Sequence, residues 1–450
     1  MISSLMNGRR CMDQLLLNAG PLAHLAPVGH SGPLAGGDIV DRTILTHGAG
    51  QGILIRGDLI AAIAESEELQ QEFAPGVTLG GATPNRLETG PLEVWDLAGK
   101  AVIPGLVDAH THLLWSGDRS NEVALRQQGH SYREIAEMGG GIGKTVAATR
   151  RSTLEELVME GFRRTQVALG NGTTFLEAKS GYGLSTESEL RLLAAADDLA
   201  KRTPLQLSHT WLGAHATPPG GKQESYVEEI LSEQLPAVLE QGIATSADVF
   251  CEDGWFTLQE TEDICRASIV GGLEIRLHVD EFSNCEGAGL AAELGAVTAD
   301  HAAHSSESAR QACHDAGTLQ GFLPGTPYVL GLDHWPPFQK CIDEGWAWSL
   351  ASDFNPNCHS LSLPFAASLA VHRCGIDPLA TLVGCSRNAG VGLRHPEGRP
   401  LGTIEVGGPA SLNILWGEEL DGWCLTPGQS PFLATLCEGT VMNWSDKAIQ

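Results

Sequence analysis

The sequence predicts an α/β protein, a (β/α)8 TIM barrel with a small discontinuous β-sandwich domain built from both chain ends. Three observations predict it. After Pro104, eight short β-runs alternate with amphipathic stretches, over about 250 residues, the length of a typical barrel of this kind. The stretch before Pro104 is strand-like and rich in turns, and the texture turns β again after Asn388. The expected boundaries are 1–103 for the first part of the sandwich, 104–388 for the barrel and 389–450 for the second part.

The elements follow in order. "DQLLLNA" and "GILIRGDLIAAIAE" read as strands, the second folded back on itself at Gly57-Asp58. Between them, "GPLAGGDIVDRTILTHGAGQG" reads as an exposed loop, and "LEVWDLAGKAVIPG" reads as a further hairpin. The barrel runs are "VIPGLVDAHTHLL", "TTFLEAK", "LQLSHTWLGAHA", "SADVFCED", "EIRLHVDEF", "AVTADHA", "LQGFLPGTP" and "WSLASDFN". Segments such as "TLEELVMEGFRRTQVALGNG" and "STESELRLLAAADDLAKRT" between them carry helical periodicity, and Gly170 and Gly172 stop the first. Near the end, "LGTIEVGGPASLNILW" reads as two strands joined at Gly407-Gly408.

Composition narrows the partners. The 450 residues are 42% hydrophobic and carry a formal charge of -27, which disfavours nucleic acid and anionic membranes as partners. The 11 cysteines are odd in number and form no C-x-x-C pair, so neither a disulfide framework nor a thiolate zinc knuckle is expected. A reducing cytoplasm fits that usage. The apolar run after Arg9 and Arg10 is only "LLL", so no secretory leader is expected.

In such a barrel the chemistry sits at the C-terminal ends of the strands. The first run ends in His110 and His112, which period-2 geometry places on one face. The third ends in His215, the fifth in His278 with Glu281 three residues on, the sixth in Asp300 and His301, and the eighth in Asp353. Three imidazoles and one carboxylate converging from these ends make a ligand set for one divalent metal, Zn or Fe. Such a cation lowers the pKa of a water to about 7. Glu281 is placed to take that water's proton and pass it to a leaving nitrogen, and His301 to hydrogen-bond a developing oxyanion. His209, His304, His314 and His359 are assigned structural roles. A second metal in such a barrel is often bridged by a lysine on the fourth run, with a carboxylate bridge there as the lesser alternative. The available lysine, Lys179, closes the second run, and the fourth offers only Cys251 and Glu252.

At these residues the chain resembles the amidohydrolase superfamily, through "PGLVDAHTHL" and "GTIEVGGPASLNIL". Within it the chain is similar to the imidazolonepropionase family of histidine degradation. The more specific motifs run from Ile103 to Asn357: "SYREIAEMGGGI", "EAKSGYGL", "LGAHATPP", "DVFCEDGWF", "HVDEFSN", "ADHAAHSS", "LPGTPY" and "ASDFNPN". The resemblance implies hydrolysis of 4-imidazolone-5-propanoate to N-formimino-L-glutamate. It implies His110, His112, His278 and Asp353 as metal ligands, with Glu281, His301 and Asp353 in the catalytic machinery. It implies Arg119, Tyr132, Tyr182, His215, Asn355 and the loop position Asn357 as substrate-binding. Arg119 suits a substrate carboxylate on chemical grounds as well, through its planar fork of donors. Asn357 and Cys358 stand where the family has Gly and a small polar residue; a left-handed backbone at Asn357 would be harder to adopt than at Gly. Barrels of this type commonly form homodimers. The competing expectations are a related amidohydrolase or deaminase acting on another heterocycle, and a non-catalytic barrel scaffold; the full ligand set weighs against the scaffold.

Overall fold

The computed structural model describes residues 12–81, 83–90, 92–130, 134–135 and 138–444. Its centre is an eight-stranded parallel sheet. The strands are β1 (Leu106–Asp108), β2 (Thr173–Lys179), β3 (Gln206–Ala214), β4 (Ser246–Cys251), β5 (Glu274–Val279), β6 (Thr298–His301), β7 (Leu319–Phe322) and β8 (Trp348–Leu350). Each pairs with the next in chain order. The sheet closes past β1 and β8, where Thr111 bridges Phe354 and the His112 amide donates to the Phe354 carbonyl at 2.8 Å. The barrel is the (β/α)8 architecture expected. Helices cover its outside, so both faces of most strands are buried; every residue of β2 is. That double burial explains why these runs read as continuous apolar stretches without alternation.

Local signals place the helices. Thr153 and Glu156 form a reciprocal capping box that starts the helix Leu154–Gly170, and Thr257 and Glu260 do the same for Leu258–Val270. Gly172 follows the first helix with φ +82, and a Cβ there would collide with the Phe432 ring. The glycine therefore turns the chain into β2 and admits a sandwich strand at the same point.

The β-sandwich consists of two sheets. One has five strands, Asp13–Leu17, Gln51–Arg56, Leu59–Glu65, Asn85–Glu88 and Leu92–Asp96. The other has six and mixes the two chain ends, Val102–Pro104 lying beside Leu412–Leu415, which pairs with Phe432–Cys437. Leu16, Ile53 and Trp95 from the first share a buried core with Val102, Leu412 and Leu436 from the second. The Gly57-Asp58 turn joins two antiparallel strands as expected.

Three local expectations are corrected. "LEVWDLAGKAVIPG" is not a hairpin: Leu92–Asp96 pairs parallel to Asp13–Leu17, and Val102–Pro104 enters the other sheet. The amides of Leu97 and Gly99 donate to Leu17 and Asn18 at 2.9 and 2.8 Å, which consumes the hydrogen bonds a returning strand would need. Around Gly407-Gly408 only Leu412–Leu415 is a strand, because the turn docks on Ile60, whose carbonyl accepts from Gly407 at 2.8 Å. The segment read as an exposed loop buries Leu34, Ile39 and Leu45, and the Asn388 side chain holds Leu34 through both its amide and its carbonyl.

Candidate active site

His110 and His112 continue β1 in extended form, with Thr111 between them on the closing bridge. Alternation turns both imidazoles to the barrel interior. His278 lies on β5 and His301 ends β6, while Asp353 follows β8. Asp280, His301, Ala302 and Asp353 all have positive φ, between 47 and 65, although none is glycine. Backbone strain of this kind is stored where function needs side chains re-aimed, and here it gathers at the strand ends.

Two carboxylates orient the rings from outside. Asp300 Oδ2 lies 2.8 Å from His110 Nδ1, and Asp248 Oδ2 lies 3.0 Å from His278 Nδ1. The hydrogen bond from His110 Nδ1 to Asp300 leaves that ring's lone pair on Nε2, and the charge of Asp248 beside His278 Nδ1 favours the same tautomer there. Those Nε2 atoms converge. His278 Nε2 is 3.3 Å from His112 Nε2, and Asp353 Oδ1 is 3.7 Å from His110 Nε2 and 3.9 Å from His112 Nε2. His110 Nε2 has no hydrogen-bond partner among the described residues, although it is buried. Burial, and after it neighbouring positive charge, holds His110, His112 and His301 well below the usual imidazole range, and burial pushes His215 down to about 3. Imidazoles that crowd their ring nitrogens together beside a buried carboxylate form a donor set that a cation between them would join. The donor atoms of His110, His112 and Asp353 lie within 4.8 Å of one another, as do those of His110, His278 and His301. The arrangement fits a divalent metal.

Lys179 has a different task from the bridging one considered from the sequence. Its Nζ lies 2.6 Å from Asp248 Oδ2 and 2.9 Å from Glu177 Oε2, all of them buried. Burial alone would lower its pKa, but Asp248, Glu177 and Asp300 outweigh it and raise it. The amine stays charged and fixes the carboxylates that orient the histidines. Glu252 accepts from the amides of Glu281 and Phe282 at 2.7 and 3.1 Å and from Ser283 Oγ at 2.6 Å. It holds the loop that carries Glu281.

A cavity of about 550 Å3 opens over this centre. His112, His278, Asp353, His301 and Glu281 line it, and so do Arg119, Tyr182, His215, Asn355 and Asn357. His110 does not line it, and Tyr132 lies outside the described residues. Burial pushes Glu281 well above the usual carboxylate range, reinforced by the charges of Asp353 and Glu252. Its Oε2 is 3.5 Å from His301 Nε2. Thr326 Oγ1 donates to Asp353, and Asn355 Nδ2 donates to the Asp353 carbonyl at 2.8 Å. Asn355 Oδ1 accepts the amides of Asn357 and Cys358, and Asn357 is not among the residues of positive φ. The loop therefore asks no left-handed conformation of Asn357.

Arg119 lies in the cavity wall already paired with Glu122. Glu122 and Asp248 are the site residues the sequence reading passed over. Each had a signal: Glu122 stands three residues from Arg119, and Asp248 alternates with Phe250 on the inward face of β4. Arg126, His130, Trp255 and Phe282 also line the cavity without having been singled out.

The support for Asp300 gives a first prediction. A Cβ on Gly321 would collide with Asp300 Oδ1. Gly321→Ala is expected to cost about 1–3 kcal/mol of stability by overpacking and to weaken metal retention through His110. Denaturant unfolding and metal analysis of the variant check this; unchanged values for both would refute it.

The amidohydrolase family model matches residues 93–219. The imidazolonepropionase of Symbiobacterium thermophilum is 38% identical over 411 residues, which cover 90% of this chain and 91% of that protein. That of Haloarcula marismortui is 38% identical over 79% of this chain and 81% of its own length, and that of Shewanella sediminis 41% over 71% and 78%. Among solved structures, a 5-methylcytosine deaminase from Klebsiella pneumoniae superposes with a TM-score of 0.66 at 15% identity, covering 96% of this chain and 98% of that one. An adenosine deaminase from Xanthomonas campestris with bound zinc gives 0.62 at 16%, covering 95% and 92%. These two share the fold. Among the described residues no helix is long and apolar enough to cross a membrane.

Proposed function

The chain belongs to the imidazolonepropionase family of amidohydrolases, and from that premise we propose that it hydrolyses 4-imidazolone-5-propanoate to N-formimino-L-glutamate in this cavity. His110, His112, His278 and Asp353 would hold one divalent metal per chain, zinc or iron. Such a cation, when bound, would supply the positive charge that makes a water acidic near neutral pH. Glu281 receives a proton from the water whose oxygen bonds to the ring carbonyl carbon, and returns it to the ring nitrogen as the ring C–N bond breaks. His301, beside Glu281, donates to the carbonyl oxygen as charge develops there. Asp353 keeps its orientation through Thr326 and Asn355. Arg119 binds the propionate arm, with Tyr182, His215, Asn355 and Asn357 around the rest of the substrate, and the family resemblance alone assigns Tyr132 to substrate binding. The working state is a cytoplasmic homodimer with neither nucleic acid nor membrane as a partner, in keeping with the charge of -27.

The observation that carries this reading is the coincidence, in one cavity, of the converging Nε2 atoms, the protonatable Glu281 and a buried arginine in the wall. Turnover of 4-imidazolone-5-propanoate against a panel of cyclic amides and aminated heterocycles tests it, with metal content measured alongside. No activity on the first compound would reject the assignment.

Arg119→Met is expected to raise KM for that substrate by about 10- to 100-fold with a smaller effect on kcat, since a charge-assisted hydrogen bond is worth roughly 1.5–3 kcal/mol. Steady-state kinetics decide it, and an unchanged KM would remove Arg119 from substrate binding.

A further inference from the structure

We propose that Glu122, seated in the Gly139–Gly141 turn, is the positioning residue that presents Arg119 to the substrate carboxylate. The inference rests on the reading of Arg119 given above. Glu122 and Arg119 are 1% and 4% exposed, so the pair is inside the protein. Arg119 Nε donates to both carboxylate oxygens at 3.0 Å, and Nη2 donates to Oε2 at 2.8 Å. Two donors on one edge of the guanidinium fix its plane as well as its place.

The triple glycine accounts for how Glu122 is held. Its Oε1 also accepts the Gly141 amide at 2.9 Å. Gly139 and Gly141 have φ of +84 and +68, which favour glycine. Gly140 has no room for a side chain, since a Cβ would lie 2.8 Å from Ile135 Cγ2 and 3.0 Å from Glu122 Oε1. Gly141 opens the helix Gly141–Arg151, whose N-terminal amides favour a carboxylate. The turn thus seats one carboxylate, and that carboxylate seats one arginine.

The arrangement lowers the cost of binding. A long cation left free in a cavity wall would lose rotamer freedom when substrate arrives. Here Glu122 has ordered Arg119 beforehand and balances its charge in the buried wall. A second carboxylate then meets a guanidinium already at a set distance from the metal centre.

The test compares wild type, Glu122→Gln and Arg119→Met on 4-imidazolone-5-propanoate and on its analogue with a propanamide arm. Glu122→Gln is expected to raise KM for the carboxylate substrate by about tenfold, near 1.4 kcal/mol, with kcat within about twofold and metal content unchanged. Its kcat/KM on the propanamide analogue should match wild type. An unchanged KM on the carboxylate substrate overturns the proposal, and so does an equal loss on both substrates, which would mark general damage. If Arg119→Met leaves KM unchanged, the role of Arg119 itself fails, and that result is distinct from a null effect of Glu122→Gln beside an impaired Arg119→Met. Gly140→Ala, which crowds Oε1 without removing the charge, should show the same selective rise in KM to a lesser degree. Should Glu122→Gln not fold, absence of that rise in Gly140→Ala overturns the proposal.

Discussion

Glu281→Gln is expected to keep wild-type metal content and lose turnover by a factor on the order of 100 to 10,000, the usual contribution of a positioned general acid–base group. The substitution preserves shape. The loop is held by backbone amides, those of Glu281 and Phe282 donating to Glu252, and these do not involve the substituted group. What disappears is the ability to accept a proton. Burial and the nearby charges of Asp353 and Glu252 raise the proton affinity of Glu281, which suits a group that must take a proton and give it back. The carboxamide cannot do either. Single-turnover kinetics and metal analysis on the same preparation check the result. A variant with near-normal rate would remove Glu281 from the mechanism.

The second large effect is expected from His278→Ala. Loss of one donor from the converging set should reduce metal affinity by more than about 100-fold, beyond the 10- to 100-fold typical of losing an outer-shell partner. Turnover should fall with it. His278 touches both sides of the centre: its Nδ1 meets Asp248 Oδ2 and its Nε2 meets His112 Nε2. Without it, Asp248 still has Lys179 at 2.6 Å, so the carboxylate beneath is not left unpaired. The barrel should therefore survive while the metal leaves. Metal content per chain and far-UV circular dichroism separate these outcomes; full occupancy in the variant would refute the ligand assignment.

Much of this was legible from the chain. His110, His112, His278, His301 and Asp353 were placed by a local rule, that polar residues closing apolar runs meet at one end of a barrel. Where a longer-range partner decided the outcome, local reading failed. The run at Leu92–Asp96 looked like half of a hairpin because it is followed by a glycine turn; its partner is Asp13–Leu17 instead. The segment around Leu34 looked like an exposed loop, yet Asn388, more than 350 positions away, pins it into the core.

The sequence by itself determined which donors are present, which strand ends carry them and that alternation points His110 and His112 the same way. Those properties depend on residue type and on a two-residue period. Only the tertiary structure decided which nitrogen of His110 and of His278 turns to the shared centre, because the carboxylates beside them, Asp300 and Asp248, arrive on other strands of the barrel. It also decided what Arg119 is. The chain offers an arginine past a strand; the fold supplies Glu122 on its edge and a glycine turn around Glu122. Such pairings depend on register and on close approach of backbones.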